Sequence, residues 1–159
     1  MLEWVSRSPE ETERLGVCLA KYLRAGDIVC LDGDLGAGKT ALTRGIAEGL
    51  GIRGMVSSPT FMLVIEHENE DGPALFHFDA YRLSGAEDFF DAGLDEYFYR
   101  GGVCVIEWSD VIRDAFAAME DRMFRFRIRR TDEQEREIGL EWPVGREQDG
   151  MDLYGDFGV

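Results

Sequence analysis

The stretch Gly33-Asp34-Leu35-Gly36-Ala37-Gly38-Lys39-Thr40 constrains this chain more than any other, because it fits G-x-x-x-x-G-K-(S/T) at every fixed position. Each fixed residue has a physical task. The glycines let the backbone curl until successive N–H groups point at one oxyanion. A helix starting beside Lys39 adds the positive end of its dipole. The lysine ammonium spans the β- and γ-phosphates of a nucleotide, and the Thr40 hydroxyl takes a place on Mg2+. The flanks suit the motif. Residues 27–32, DIVCLD, form a short apolar run that suits a strand buried on both faces. Residues 39–50 place Leu42, Ile46 and Leu50 on one side of a helix. Strand, glycine loop and helix together argue against a glycine turn with a surface lysine. The expected ligand is a nucleoside phosphate with Mg2+, on Gly33 to Thr40 and the nearby Thr43. Lysine is also scarce: Lys21 and Lys39 stand against 15 arginines.

The rest of the chain reads as one α/β domain over residues 1–142. Ser8 can cap a helix, with Pro9 in its first turn and Glu11 completing a capping box. Leu15, Cys18, Leu19, Tyr22 and Leu23 then recur on one face, and Gly26 is expected to end the helix. Residues 60–68 and 73–81 read as a hairpin turned at NEDG. Residues 84–98 carry Glu87, Asp88, Asp91, Asp95 and Glu96 and no base, and suggest one or two short helices parted near Gly93. GVCVIE, 102–107, is a second buried strand. In 122–130 and 137–142, Phe124, Phe126, Ile128, Ile138, Leu140 and Trp142 alternate with charged residues, the pattern of an antiparallel strand pair. Residues 143–159, rich in Gly and Asp, are expected to be an acidic, mobile tail.

Composition narrows the classes. The formal charge of −15 sets up a field that repels free nucleic acid unless a local basic surface overrides it, and it is no obstacle to binding a basic partner protein. No apolar run approaches the ~20 residues that cross a bilayer. The N-terminus lacks the pattern of a secretory signal, so the expected location is the cytoplasm. Cys18, Cys30 and Cys104 have no ligand spacing and read as buried thiols.

Mg2+ at such a loop needs an acid at the end of a buried strand. Glu107 closes VCVIE and Asp79 closes LFHFD. Either can hold the metal, directly or through water, and the other can position the attacking water. His77, Asp79 and Tyr81 are expected on one strand face, with Arg82 following. Ser58-Pro59-Thr60-Phe61 is either a switch that senses the γ-phosphate or a rigid proline turn. Arg125, Arg127 and Arg129 either meet RNA backbone or, the reading favoured here, pair across strands with Glu137 and Glu141.

GDLGAGKT (33–40), SPTF (58–61), HFDAYRL (77–83) and IEW (106–108) occur in the order and spacing of the bacterial TsaE (YjeE) family. The resemblance covers about residues 8–113. It implies a compact P-loop NTPase with a mainly parallel central sheet flanked by helices. It also implies ATP on residues 33–40, Asp79 and Glu107 as metal and catalytic acids, Trp108 as a nucleotide-site residue and 58–61 as the switch-like segment. The family's members are small ATPases of tRNA threonylcarbamoyladenosine synthesis, acting on a complex of the TsaD transferase with TsaB. Hydrolysis, slow alone, is thought to reset that machine, and tRNA is met only through the complex.

Two other classes use the same loop. A small-molecule kinase would carry a mobile lid with catalytic arginines, whereas the arginines here cluster in an alternating strand. A nucleotide-gated binding module would need ATP only to fix a docking surface. A GTPase is disfavoured because the chain has no N-K-x-D motif.

Overall fold

The computed structural model of the chain describes residues 1–34, 38–54 and 63–157. Its centre is a mixed sheet of seven strands among these residues, ordered β1-β7-β6-β2-β5-β4-β3. The strands are β1 Leu2–Ser6, β2 Ile28–Gly33, β3 Val64–His67, β4 Leu75–Asp79, β5 Val103–Glu107, β6 Met123–Arg130 and β7 Arg136–Glu141. The four central strands, β6, β2, β5 and β4, run parallel, while β3, β7 and β1 are added antiparallel. The helices are α1 Pro9–Ala20, α2 Lys39–Leu50, α3 Ala86–Asp91 and α4 Glu147–Phe157. Short 3₁₀ turns cover Leu94–Tyr99 and Ser109–Phe116.

Alternation along β2 and β5 divides the core in two. Val29, Leu31, Val103 and Val105 face one way and pack with Leu15 and Leu19 of α1, Leu42 and Ile46 of α2 and Leu153 of α4. Ile28, Cys30, Cys104 and Ile106 face the other way and pack with Phe89 of α3 and Phe98 and Phe116 of the 3₁₀ turns. Leu15, Leu19, Leu42 and Ile46 are fully buried, and each such side chain stabilises the fold by about 1.5–3 kcal/mol relative to exposure. Burial pushes the Cys30 and Cys104 thiols up to about 12, as inert core thiols require.

Helices α1 and α2 meet at very short range because the contact is made of glycines. A Cβ at Gly45 would lie 1.9 Å from the Glu13 carbonyl oxygen, and one at Gly16 would lie 2.4 Å from that of Leu42. This close approach fixes α2, and with it the residues that begin it, against the sheet.

Several expectations are altered by tertiary contacts. Helix α1 starts as expected, with Ser8 accepting from the Glu11 N–H at 3.1 Å. Glu11, however, accepts from the Arg7 N–H at 2.7 Å, one residue earlier than a capping box requires. The helix stops at Ala20, and Tyr22 and Leu23 continue in 3₁₀-type bonds to Leu19 and Ala20. Gly26, with φ of 94°, closes the following turn instead. Helices at 86–91 and 94–99 do part at Gly93, whose φ is 72°. The hairpin's first strand is described only from Val64, and residues 60–62 lie outside the described residues.

The expected tail is a helix over Glu147–Phe157. Leu153 is fully buried, and Tyr154 and Phe157 lie 5.7 and 6.2 Å from the Trp4 ring. Arg146 anchors its start by pairing with Asp27 at 2.8 Å, the two side chains 9% and 4% exposed. Gly and Asp suggested a tail because the apolar face of this segment is spaced too thinly to show without its partner. Strand β1, absent from the sequence reading, pairs with β7 and alternates buried Trp4 and Ser6 with exposed Glu3 and Val5.

Candidate nucleotide site

The site gathers at the carboxyl ends of the parallel strands, where open α/β sheets place their ligands. Strand β2 delivers Gly33, whose hypothetical Cβ would lie 2.2 Å from the Ile128 carbonyl oxygen, so no larger residue fits. Gly38, with φ of 107° and ψ of 15°, turns the chain into α2, which begins at Lys39 with no side-chain cap. Among the described residues the first N–H groups of α2 have no side-chain cap and are open to a ligand. Leu35, Gly36 and Ala37 lie outside the described residues, as do Ser58, Pro59, Thr60 and Phe61. Asp34 is exposed and Thr40 half-buried. Thr43 is fully buried, and its hydroxyl donates to the Lys39 carbonyl at 2.9 Å.

Lys39 is 5% exposed. Its Nζ donates to the Gly33 carbonyl at 3.1 Å and lies 4.3 Å from the centroid of the Trp108 ring. Among the described residues no carboxylate forms an ion pair with it. Buried charges are ordinarily paired, so an ammonium held by one carbonyl and one ring face is arranged for an anion.

Asp79 and Glu107 are brought together, as register partners at the ends of neighbouring parallel strands. Glu107 also stands opposite Leu31 of β2, one strand from the glycine loop, and Asp79 is one strand further out. Glu107 is buried and accepts from His77 Nε2 at 2.7 Å, while His77 is fully buried. Alternation puts His77, Asp79 and Glu107 on the α2 side of the sheet. Tyr81 does not share that face. It lies beyond β4, in a turn closed by its own N–H donating to Asp79 Oδ1 at 2.9 Å, and its ring is 5.0 Å from Trp108. Arg82 follows in the same turn and is exposed.

Trp108 occupies left-handed backbone, with φ of 58° and ψ of 39°. For a residue with a large side chain this costs of order 1–3 kcal/mol, so its surroundings must hold it. Its N–H donates to the Leu31 carbonyl at 3.2 Å. On the far face of β2, Asp32 accepts from the Ser109 hydroxyl and from the Asp110 N–H at 3.3 Å, fixing the turn that follows Trp108. Asp110 in turn pairs with Arg127 at 2.8 Å. Sequence reasoning missed Asp32, Ser109 and Asp110. Asp32 ends an apolar run beside the glycine motif, but nothing along the chain links it to residue 109.

The arginine stripe is used largely for internal pairing. Arg129 pairs with Glu137 across strands, as expected, but Arg127 turns to Asp110. Arg125 stands opposite Glu141 without an ion pair among the described residues. The bond from Arg127 to Asp110 holds that guanidinium above its ordinary range.

No group of three or more His, Cys, Asp and Glu side chains among the described residues is arranged to hold a metal alone. Thr40, Asp79 and Glu107 supply only oxygen donors. That set suits Mg2+, which is usually held by one or two carboxylates together with substrate phosphates and water. No helix of the described chain is long and apolar enough to cross a membrane.

The family model described as threonylcarbamoyl adenosine biosynthesis protein TsaE matches residues 6–138. The tRNA threonylcarbamoyladenosine biosynthesis protein TsaE of Bacillus subtilis (strain 168) is 42% identical over 137 residues, 86% of this chain and 83% of that protein. The protein of the same description from Streptomyces coelicolor is 55% identical over 98 residues, 60% of this chain and 66% of that one. A crystal structure of Bacillus subtilis YdiB aligns with a TM-score of 0.80 and 36% identity over 98% of this chain and 95% of that one.

Proposed function

The chain belongs to the TsaE family of tRNA threonylcarbamoyladenosine biosynthesis, and from that premise we propose that it is a cytoplasmic P-loop ATPase serving the TsaD–TsaB transferase. The observation that carries this reading is Lys39, an ammonium buried at the start of α2 with no carboxylate of its own among the described residues. A triphosphate supplies the missing anion.

In this reading residues 33–40 enclose the β- and γ-phosphates, Lys39 bridges them, and Thr40 and Glu107 hold Mg2+, whose bound charge would offset that of the phosphates. Glu107 is assigned there because its strand neighbours the loop strand. Asp79, one strand further out, orients the attacking water. Trp108 and Thr43 shape the site around Lys39, and Ser58 to Phe61 respond to the γ-phosphate. The charge of −15 suits a subunit that docks on proteins and meets tRNA only through them.

The test is ATP turnover measured alone and with purified TsaD–TsaB. The proposal expects slow hydrolysis that rises with the partners. ATP binding without hydrolysis under either condition would replace it with a nucleotide-gated binding module, and phosphate transfer to an added acceptor would replace it with a kinase.

A further inference from the structure

We propose that His77 is a positioning residue for this site: through Nε2–H it holds the Glu107 carboxylate by one hydrogen bond and leaves Oε1 as the oxygen offered to the metal or its water. The inference deepens the ATPase reading and rests on it.

Parallel register carries the geometry. His77 stands opposite Val105, two pairs before the Asp79–Glu107 pair, so its ring and the Glu107 side chain share the α2 side of the sheet. The Nε2–Oε2 distance is 2.7 Å, with His77 fully buried and Glu107 6% exposed. Among the described residues this is the one hydrogen bond to the Glu107 side chain. A glutamate has three rotatable bonds before its oxygens, and one fixed donor at Oε2 restricts where Oε1 can go.

The acceptor places the ring proton. A carboxylate only accepts, so the bonded nitrogen, Nε2, must carry a proton. His77 Nδ1 is buried and has no hydrogen-bond partner among the described residues, so Glu107 is the ring's one hydrogen-bond partner there. Groups that orient metal-binding carboxylates in this way commonly change metal affinity or activity by about 10–100-fold when removed. A histidine that merely filled the core would have no such effect.

Two measurements test this. Imidazole 15N–1H NMR of the nucleotide-free protein at neutral pH is simple, because the chain has only two histidines, and His67→Gln assigns them. The proposal expects a proton on His77 Nε2. A ring protonated on Nδ1 alone overturns it. The second measurement is ATP affinity with Mg2+ and with EDTA for wild type, His77→Leu and His77→Gln. His77→Leu should lose about 10–100-fold of the gain in affinity that Mg2+ confers, with affinity in EDTA unchanged. His77→Gln, whose amide N–H reaches where Nε2 stands, should recover most of that gain. An undiminished Mg2+ gain in folded His77→Leu, or a Gln variant no better than Leu, overturns the proposal. If the Leu variant does not fold, the Gln variant decides: a near-wild-type Mg2+ gain supports the role, and loss of the gain overturns it. Wild-type protein that binds no ATP would instead overturn the ATPase reading, and this proposal with it.

Discussion

The Lys39 ammonium lies 4.3 Å from the centre of the Trp108 ring, on a residue held in left-handed backbone one position past the end of β5. The contact ties the glycine loop to the strand that carries Glu107. Lys39→Ala should therefore lower ATP affinity by at least about tenfold, since each hydrogen bond to a charged group contributes about 1.5–3 kcal/mol. Isothermal titration in Mg2+ measures this. Unchanged affinity in the folded variant would remove Lys39 from the site.

The two strand-end acids should separate by assay. Glu107→Ala should weaken ATP binding in Mg2+ and leave binding in EDTA near wild type. Asp79→Asn should bind ATP normally and hydrolyse it slowly, by about 10²-fold or more if Asp79 orients the water. A normal rate in Asp79→Asn would reduce that residue to a turn-closing acid, the role its bond to the Tyr81 N–H already gives it.

How far the sequence could lead depended on the range of each interaction. The glycine loop, helix α2 and strands β2 and β5 were legible because their signals are local: a fixed spacing, or an unbroken apolar run between turns. Glu107 and Asp79 were nominated separately as strand ends, and only parallel register makes them neighbours. Asp32, bonded to Ser109 across 77 positions, left no mark in the chain. Period two places Tyr81 with His77 and Asp79, but β4 ends at Asp79 and an Asx-type turn takes over. Helix α4 looks like a tail along the chain because its stabilising contacts, Trp4 and Asp27, lie at the other end of the sequence.

Arg146 and Asp27 offer a test of that helix. Burial pushes the Asp27 carboxyl above its ordinary range, with the bond from Arg146 pulling against it. A raised folded-state pKa means that folding favours the protonated acid, so stability falls as pH rises from the ordinary carboxylate value through the folded one. In Arg146→Met the opposing pull is lost, the folded pKa rises further and the window widens upward. The deficit against wild type should be smallest at acid pH, grow as pH rises and reach about 3–5 kcal/mol near neutrality. Urea denaturation across the range checks this. A deficit independent of pH would mean that Arg146 acts through packing alone.

Helix α2 is fixed by its closeness to α1. Gly45→Ala places a methyl group 1.9 Å from the Glu13 carbonyl oxygen, on backbone at both sides. The helices must separate, at a cost of about 1–3 kcal/mol. Because α2 begins at Lys39, ATP affinity should fall along with the melting temperature. Loss of stability with full affinity would show that the loop is positioned by the sheet alone.

The central claim is that one triphosphate lies between the start of α2 and the ends of β4 and β5. A crystal structure with a non-hydrolysable ATP analogue and Mg2+ tests it most directly. The account predicts the β- and γ-phosphates against residues 33–40, Lys39 Nζ within hydrogen-bond distance of both, and the metal between Thr40 and Glu107. A nucleotide bound elsewhere, with Lys39 still resting on Trp108, would contradict it.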